Sequence, residues 1–186
     1  QRVENIVDML LNIELPQLRS VDIGNIRKIK ALLAIISTEV PMLVDITKLA
    51  TLTGIARTTI LAYLQYLHEA KLIRLLYSDD LSVKKMQKPD KILMENTNLL
   101  QALSLQVPNI GTMRETFFCN QLGYTHQVEY NKRGDYLIDH KYVFEIGGKA
   151  KDGKQVANME NAYIASDECD YPIGNKLPLW LFGLMY

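Results

Sequence analysis

The sequence predicts an α+β chain: a winged helix-turn-helix followed by a small α/β module. Three observations predict it. Two short amphipathic helices are joined by a glycine-containing turn at Thr53-Gly54-Ile55. Two strand-like runs, Leu72 to Tyr77 and Lys91 to Met94, flank a polar loop and read as a hairpin, the wing. Past Glu95 the pattern changes to helices followed by short strand-like runs.

Residues 1–22 read as an N-terminal helix and a connector. Val3, Ile6, Val7 and Leu10 share one helical face, and Pro16 is expected to end that helix, leaving Leu15 to Ser20 as connector. Residues 23–95 read as the winged helix. Its first helix follows Gly24, with Ile26, Ile29, Leu33 and Ile36 as an apolar stripe and Arg27, Lys28 and Lys30 turned elsewhere. Asp45 is a good N-cap for a short helix that buries Ile46, Leu49 and Ala50. After Gly54 a further helix starts at Ala56 and runs to about Lys71, with Ile60, Leu64 and Leu67 inward.

Residues 96–186 form the second module. Asn96 to Leu105 reads as a short helix capped by Asn96 or Thr97 and broken by Pro108. Thr112 to Leu122 reads as another, burying Met113, Phe117, Phe118 and Leu122. Strands are expected at His126 to Tyr130, Tyr136 to Ile138 and Lys141 to Ile146, with Asp139-His140 as a two-residue hairpin turn. A charged loop, Gly147 to Lys154, follows. Ala157 to Asn161 is expected helical and Tyr163 to Ser166 a strand. The apolar end, with Trp180, Phe182, Leu184 and Met185, is expected to close the core.

The chain has 186 residues, enough for one large or two small domains. Its apolar share of 48% and charged share of 23% are those of a globular protein, and no run of eighteen apolar residues suits a membrane span. The opening stretch does not read as a signal peptide, so the expected compartment is the cytoplasm; the start at Gln1 rather than Met reads as a boundary within a longer chain. A formal net charge of zero argues against a dedicated nucleic-acid binder, so any contact with DNA must rest on a local basic patch. The two cysteines, Cys119 and Cys169, suggest reduced thiols rather than a disulfide framework or a metal pair.

The runs Asp45-Ile46-Thr47-Lys48-Leu49-Ala50, Gly54-Ile55-Ala56-Arg57-Thr58-Thr59 and Leu67-His68-Glu69-Ala70-Lys71-Leu72-Ile73 look like the C-terminal half of bacterial and archaeal AAA-type ATPases. So do Lys88-Pro89-Asp90-Lys91-Ile92, Asn96-Thr97-Asn98-Leu99, Gly111 to Phe118, Gly134 to Leu137, Phe144 to Lys149 and Gly174 to Gly183. The resemblance covers nearly the whole chain, and its strength lies in the combination. It implies an ATP-binding core upstream in the same parent chain, a winged helix in the middle, and a last domain of unknown function similar to the PD-(D/E)XK nuclease fold, a restriction-endonuclease-like α/β module.

Two sites follow. In a winged helix the second helix of the turn can enter the major groove, and here it offers Arg57, Thr58 and Thr59, with Tyr63, Gln65 and Tyr66 further along. The wing adds Lys84, Lys85, Lys88 and Lys91 for backbone phosphates, partly offset by Asp79, Asp80 and Asp90. The bland reading is a solvated lysine loop on a protein-docking platform.

Nuclease chemistry in a PD-(D/E)XK-like fold needs acids to hold Mg²⁺ and a lysine to position water. Asp135 and Glu145 are spaced to meet across the Asp139-His140 turn, as candidate Mg²⁺ ligands, and Glu115 stands where the fold supplies a third acid. The lysine that normally follows by two is Gly147 here. Lys149 lies two further on and Lys151 beyond it, with Gln155 nearby. Gly147 and Gly148 would let Lys149 swing back. The displaced pattern predicts a degenerate site, with the carboxylates as strand-fixing partners.

The run Gly148 to Gln155 almost fits a phosphate loop, but Gln155 replaces the Ser or Thr, so ATP is assigned to the missing core alone. His68, His126 and His140 show no ligand spacing. The leading expectation is a regulatory or DNA-targeting region of an AAA-type ATPase. The alternatives are a non-catalytic protein-interaction module and a Mg²⁺-dependent nuclease using Glu115, Asp135, Glu145 and Lys149.

Overall fold

The structure, a computed structural model, describes residues 2–19, 21, 23–79 and 88–185. It is α+β and divides into two compact units: Gln1–Leu75 with Lys91–Pro108, and Leu76–Asp90 with Asn109–Tyr186.

The first unit opens with helix α1 (Arg2–Met9), a π-helical turn (Leu10–Glu14) and α2 (Leu15–Arg19). Pro16 therefore does not end the helix. A proline inside an α-helix clashes with the carbonyl four residues earlier, and the wider turn immediately before it gives that carbonyl room; Leu15 N–H donates to Leu10 O instead. Val7, Leu11 and Leu15 are buried.

Helix α3 (Ile23–Glu39) buries the expected stripe: Ile26, Ile29, Leu33 and Ile36. Strand β1 (Met42–Leu43) follows a cis Val40-Pro41 bond. Helix α4 (Ile46–Thr53) is capped by Asp45, whose side chain accepts from Thr47 N and Lys48 N, and closes on Gly54 at φ 65°. Helix α5 (Arg57–Glu69) buries Ile60, Leu64 and Leu67 completely. Strands β2 (Ile73–Leu76) and β3 (Lys91–Met94) complete a three-stranded sheet in the order β1-β3-β2. Helix α6 (Thr97–Leu103) is capped by Asn96.

In the second unit, α7 (Ile110–Leu122) starts at Asn109, whose side chain accepts from Thr112 N. It buries Phe118, Cys119 and Leu122, whereas Met113 and Phe117 are half-buried. The sheet runs β4 (Val128–Tyr130), β5 (Tyr136–Ile138), β6 (Tyr142–Gly147), β7 (Ala162–Ser166), β8 (Lys176–Pro178). The first three strands are antiparallel neighbours and the last three are parallel. The expected helix at Ala157 to Asn161 is a string of turns, with Val156 N bonded to Gly153 O and Met159 N to Val156 O. A 3₁₀ helix (Leu179–Leu184) sends Leu179 and Phe182 inward and leaves Trp180 and Leu184 exposed, so only part of the apolar end closes the core. Phe118 is the hub of that core, with ring centroids 5.9 Å from Tyr136, 5.1 Å from Phe144 and 4.8 Å from Phe182.

Candidate functional site

Asp139 and His140 have φ of 51° and 54°, and Lys141 N donates to Ile138 O at 3.0 Å. Positive φ at both central residues is the turn that suits a right-twisted hairpin, and Asp tolerates it. The paired strand ends are Ile138 and Tyr142, so Asp139, His140 and Lys141 connect the strands, one residue more than the expected two-residue turn, and the register pairs Tyr136 with Phe144 and Leu137 with Val143. Just before β5, Asp135 N donates to Phe144 O at 2.8 Å and Asp135 Oδ2 accepts from Ile146 N at 2.6 Å, which holds Asp135 against the strand that carries Glu145. Helix α7 contributes Glu115, whose Oε2 accepts from Tyr136 Oη at 2.5 Å. Burial of Tyr136, with Cys119 and Glu115 beside it, holds its phenol well above the usual range and thus as a donor.

The lysine at this cluster is Lys151. Its Nζ lies 2.8 Å from Glu145 Oε1. The hydrogen bond to Glu145 raises the Lys151 pKa, against the cost of burial, and the charges of Glu145, Asp135 and Glu115 add to it. The path of the Lys151 side chain bears on the lysine expected two residues past Glu145. A Cβ added at Gly147 would stand 2.7 Å from Lys151 Cγ and 2.8 Å from its Cβ. The stem of Lys151 thus fills the space of a side chain at position 147, two residues past Glu145. Lys149, by contrast, is exposed, and its carbonyl accepts from Lys176 Nζ at 2.6 Å. Gln155 is exposed.

Glu145 is 1% exposed, and its Oε2 has no hydrogen-bond partner. A buried, half-satisfied carboxylate near two other carboxylates offers hard oxygens, the ligand type that Mg²⁺ takes. The ligand atoms of Glu115, Asp135 and Glu145 do not all lie within 4.8 Å of one another; among the described residues the group that meets that distance is Asp79, Glu129 and His140. Sequence reasoning missed this group because its members come from three separate segments.

At the helix-turn-helix, Arg57 and Thr58 are exposed at the start of α5 and Thr59 is half-buried. Tyr63 is 5% exposed and belongs to the core rather than to an outer face. Tyr66 is half-buried under Arg19, whose guanidinium carbon is 5.7 Å from the ring centroid, and Gln65 donates to Glu69. Lys84 and Lys85 lie outside the described residues. Lys88 is exposed, but Lys91 is buried in β3. Two further ion pairs were not legible beforehand. Arg74 pairs with Glu95 at 2.5 Å, both buried, and Arg114 pairs with Asp167 at 3.0 Å. On α1 and the π turn, Ile6, Met9 and Ile13 form an exposed apolar row.

The chain is thus an α+β protein whose first unit holds two helices joined by a turn at Gly54 and whose second holds a carboxylate and lysine cluster on a mixed sheet. It belongs to the family described as Domain of unknown function (DUF8612), whose family pattern matches residues 1–109. No curated protein matches the chain, and no solved structure matches it. No helix among the described residues is long and apolar enough to cross a membrane.

Proposed function

We propose that the second unit carries a Mg²⁺-dependent site for phosphodiester hydrolysis in DNA, and that the chain is the C-terminal, DNA-targeting region of an AAA-type ATPase. The observation that supports the catalytic reading most is the path of Lys151. It delivers an ammonium to Glu145 across the surface of Gly147, which supplies from four residues further along what a PD-(D/E)XK pattern takes from position 147. The displaced pattern in the sequence then no longer argues for a degenerate site.

Asp135 and Glu145 would hold the cation, with Glu115 as the third acid. Bound there, Mg²⁺ supplies Lewis-acid stabilisation of charge on the phosphate. Lys151 is kept protonated by three carboxylates, so it can hold a phosphate oxygen or orient water rather than act as a base. Tyr136 fixes Glu115. Arg57 and Thr58, exposed at the start of α5, and Lys88 would meet DNA. The exposed row of Ile6, Met9 and Ile13 supports contact with the upstream ATPase core or another protein.

The test is incubation with labelled duplex, single-stranded and branched DNA, with and without Mg²⁺, at low and moderate salt. Cleavage that needs Mg²⁺ and disappears in Glu145→Gln and Lys151→Met is expected. Binding without cleavage on every substrate would overturn the catalytic part and leave Lys151 as the cation that neutralises a buried Glu145. Loss of salt-sensitive binding in Arg57→Ala supports the targeting part; no binding on any substrate overturns it.

A further inference from the structure

A second cluster lies away from that cation–carboxylate site. Asp79 comes from the Leu76–Asp90 segment, Glu129 from β4 and His140 from the hairpin turn. Their ligand atoms all lie within 4.8 Å of one another. His140 Nδ1 is 2.9 Å from Glu129 Oε2 and 3.3 Å from Asp79 Oδ1. Ligands at ordinary Zn–N and Zn–O distances around one tetrahedral ion sit roughly 3.3 Å apart, so the spacing already suits a shared ion.

The chemistry of Glu129 points the same way. The residue is 9% exposed. Its Oε1 accepts from Gln127 Nε2 at 3.2 Å, whereas Oε2 is buried with no hydrogen-bond partner. Among the described residues, its one neighbour of opposite charge is His140, whose Nδ1 stands 2.9 Å away. Two carboxylates here want positive charge, and a solvent-accessible imidazole offers a lone pair beside them.

We propose that Asp79, Glu129 and His140 bind one Zn²⁺-class ion. One imidazole and two carboxylates favour a borderline ion such as Zn²⁺ or Co²⁺ over Mg²⁺. The ion would tie Asp79 to the sheet, next to the existing bond from Tyr130 N to Tyr77 O, and its role is structural. The proposal is independent of nuclease activity.

The experiment uses the whole 186-residue chain after chelator treatment. Zn²⁺ is titrated by calorimetry, Co²⁺ by its visible spectrum, and thermal stability is followed throughout. The variants are His140→Asn, which keeps a residue tolerant of positive φ at the turn, and Glu129→Gln, with Glu145→Gln as control. One equivalent of ion, a raised melting temperature, and affinity weakened at least about tenfold in both cluster variants but not in Glu145→Gln are expected. No saturable uptake would overturn the proposal. So would uptake unchanged in a folded His140→Asn, or uptake lost in Glu145→Gln alone, which would put the ion at the other carboxylates.

Discussion

The crossing of Lys151 over Gly147 gives the sharpest stability test. Gly147→Ala places a methyl 2.7 Å from Lys151 Cγ, 2.8 Å from Cβ and 2.9 Å from Cδ. A rotamer change can move Cγ and Cδ, but Cβ is fixed by the backbone and its 2.8 Å contact stays. Either the backbone at Lys151 moves or the ammonium leaves Glu145. Overpacking of this kind costs about 1–3 kcal/mol. Breaking a fully buried ion pair costs about 3–5 kcal/mol, but the Lys151 side chain is 34% exposed, so solvent screens the loss toward or below the low end. A total near 2 kcal/mol is the reasonable figure. The clash is with Lys151, so it must vanish in a Lys151→Gly background, which removes all three atoms. The double-mutant cycle is expected to give a coupling of about 1–2 kcal/mol. Urea unfolding followed by Trp180, the one tryptophan and a residue of the second unit, reads it. Additive effects within about 0.5 kcal/mol would refute the crossing. The relocated pair, Gly147→Lys with Lys151→Gly, should in turn keep an ammonium at Glu145 and retain cleavage.

Two other perturbations probe the frame. Arg74→Ala strands the buried carboxylate of Glu95, whose Oε2 already lacks a partner, and should cost about 3–5 kcal/mol in urea unfolding; replacing both by Met and Leu should recover most of it. At the hairpin turn, a hydrogen bond with His126, then one from Gln127 N, lowers the Asp139 pKa. A folded-state pKa below the unfolded one gives stability present above the unfolded value, about 3.9, and lost as pH falls through the folded value. Asp139→Asn, which tolerates the same backbone, should flatten stability against pH in that acid range.

How far the sequence could be read depended on how local each signal was. Asp45 and Gly54 mark the ends of α4 because capping and positive φ are decided within three residues, and Asp139-His140 located the β5–β6 hairpin for the same reason, one residue short of its true connection. That Asp135 lies against the strand of Glu145 follows from the two strands being hairpin neighbours. Lys151 was within sight but unassigned, because a spacing rule along one strand does not register a loop that returns over its own glycine. Strands β1 and β8 are two and three residues long, too short for a periodic signal, and exist through their partners. Nothing local marks Arg74 and Glu95 as buried, because each is buried by pairing with a residue 21 positions away. Tyr63 falls on the same helical face as Ile60 and Leu67, and its hydroxyl disguised a core residue.

The π turn at Leu10–Glu14 bears on how chain length can vary here. Such a turn amounts to one extra residue absorbed inside a helix without a loop. Deleting the exposed Asn12 or Ile13 would restore ordinary α-helical winding, and Pro16 would then collide with the carbonyl one turn before it. Shortening the helix by one residue and replacing the proline are each unfavourable to contemplate alone in different ways: the first creates the collision, the second leaves a bulge with nothing to relieve. In homologous chains, helix length and the presence of proline at this point should change together.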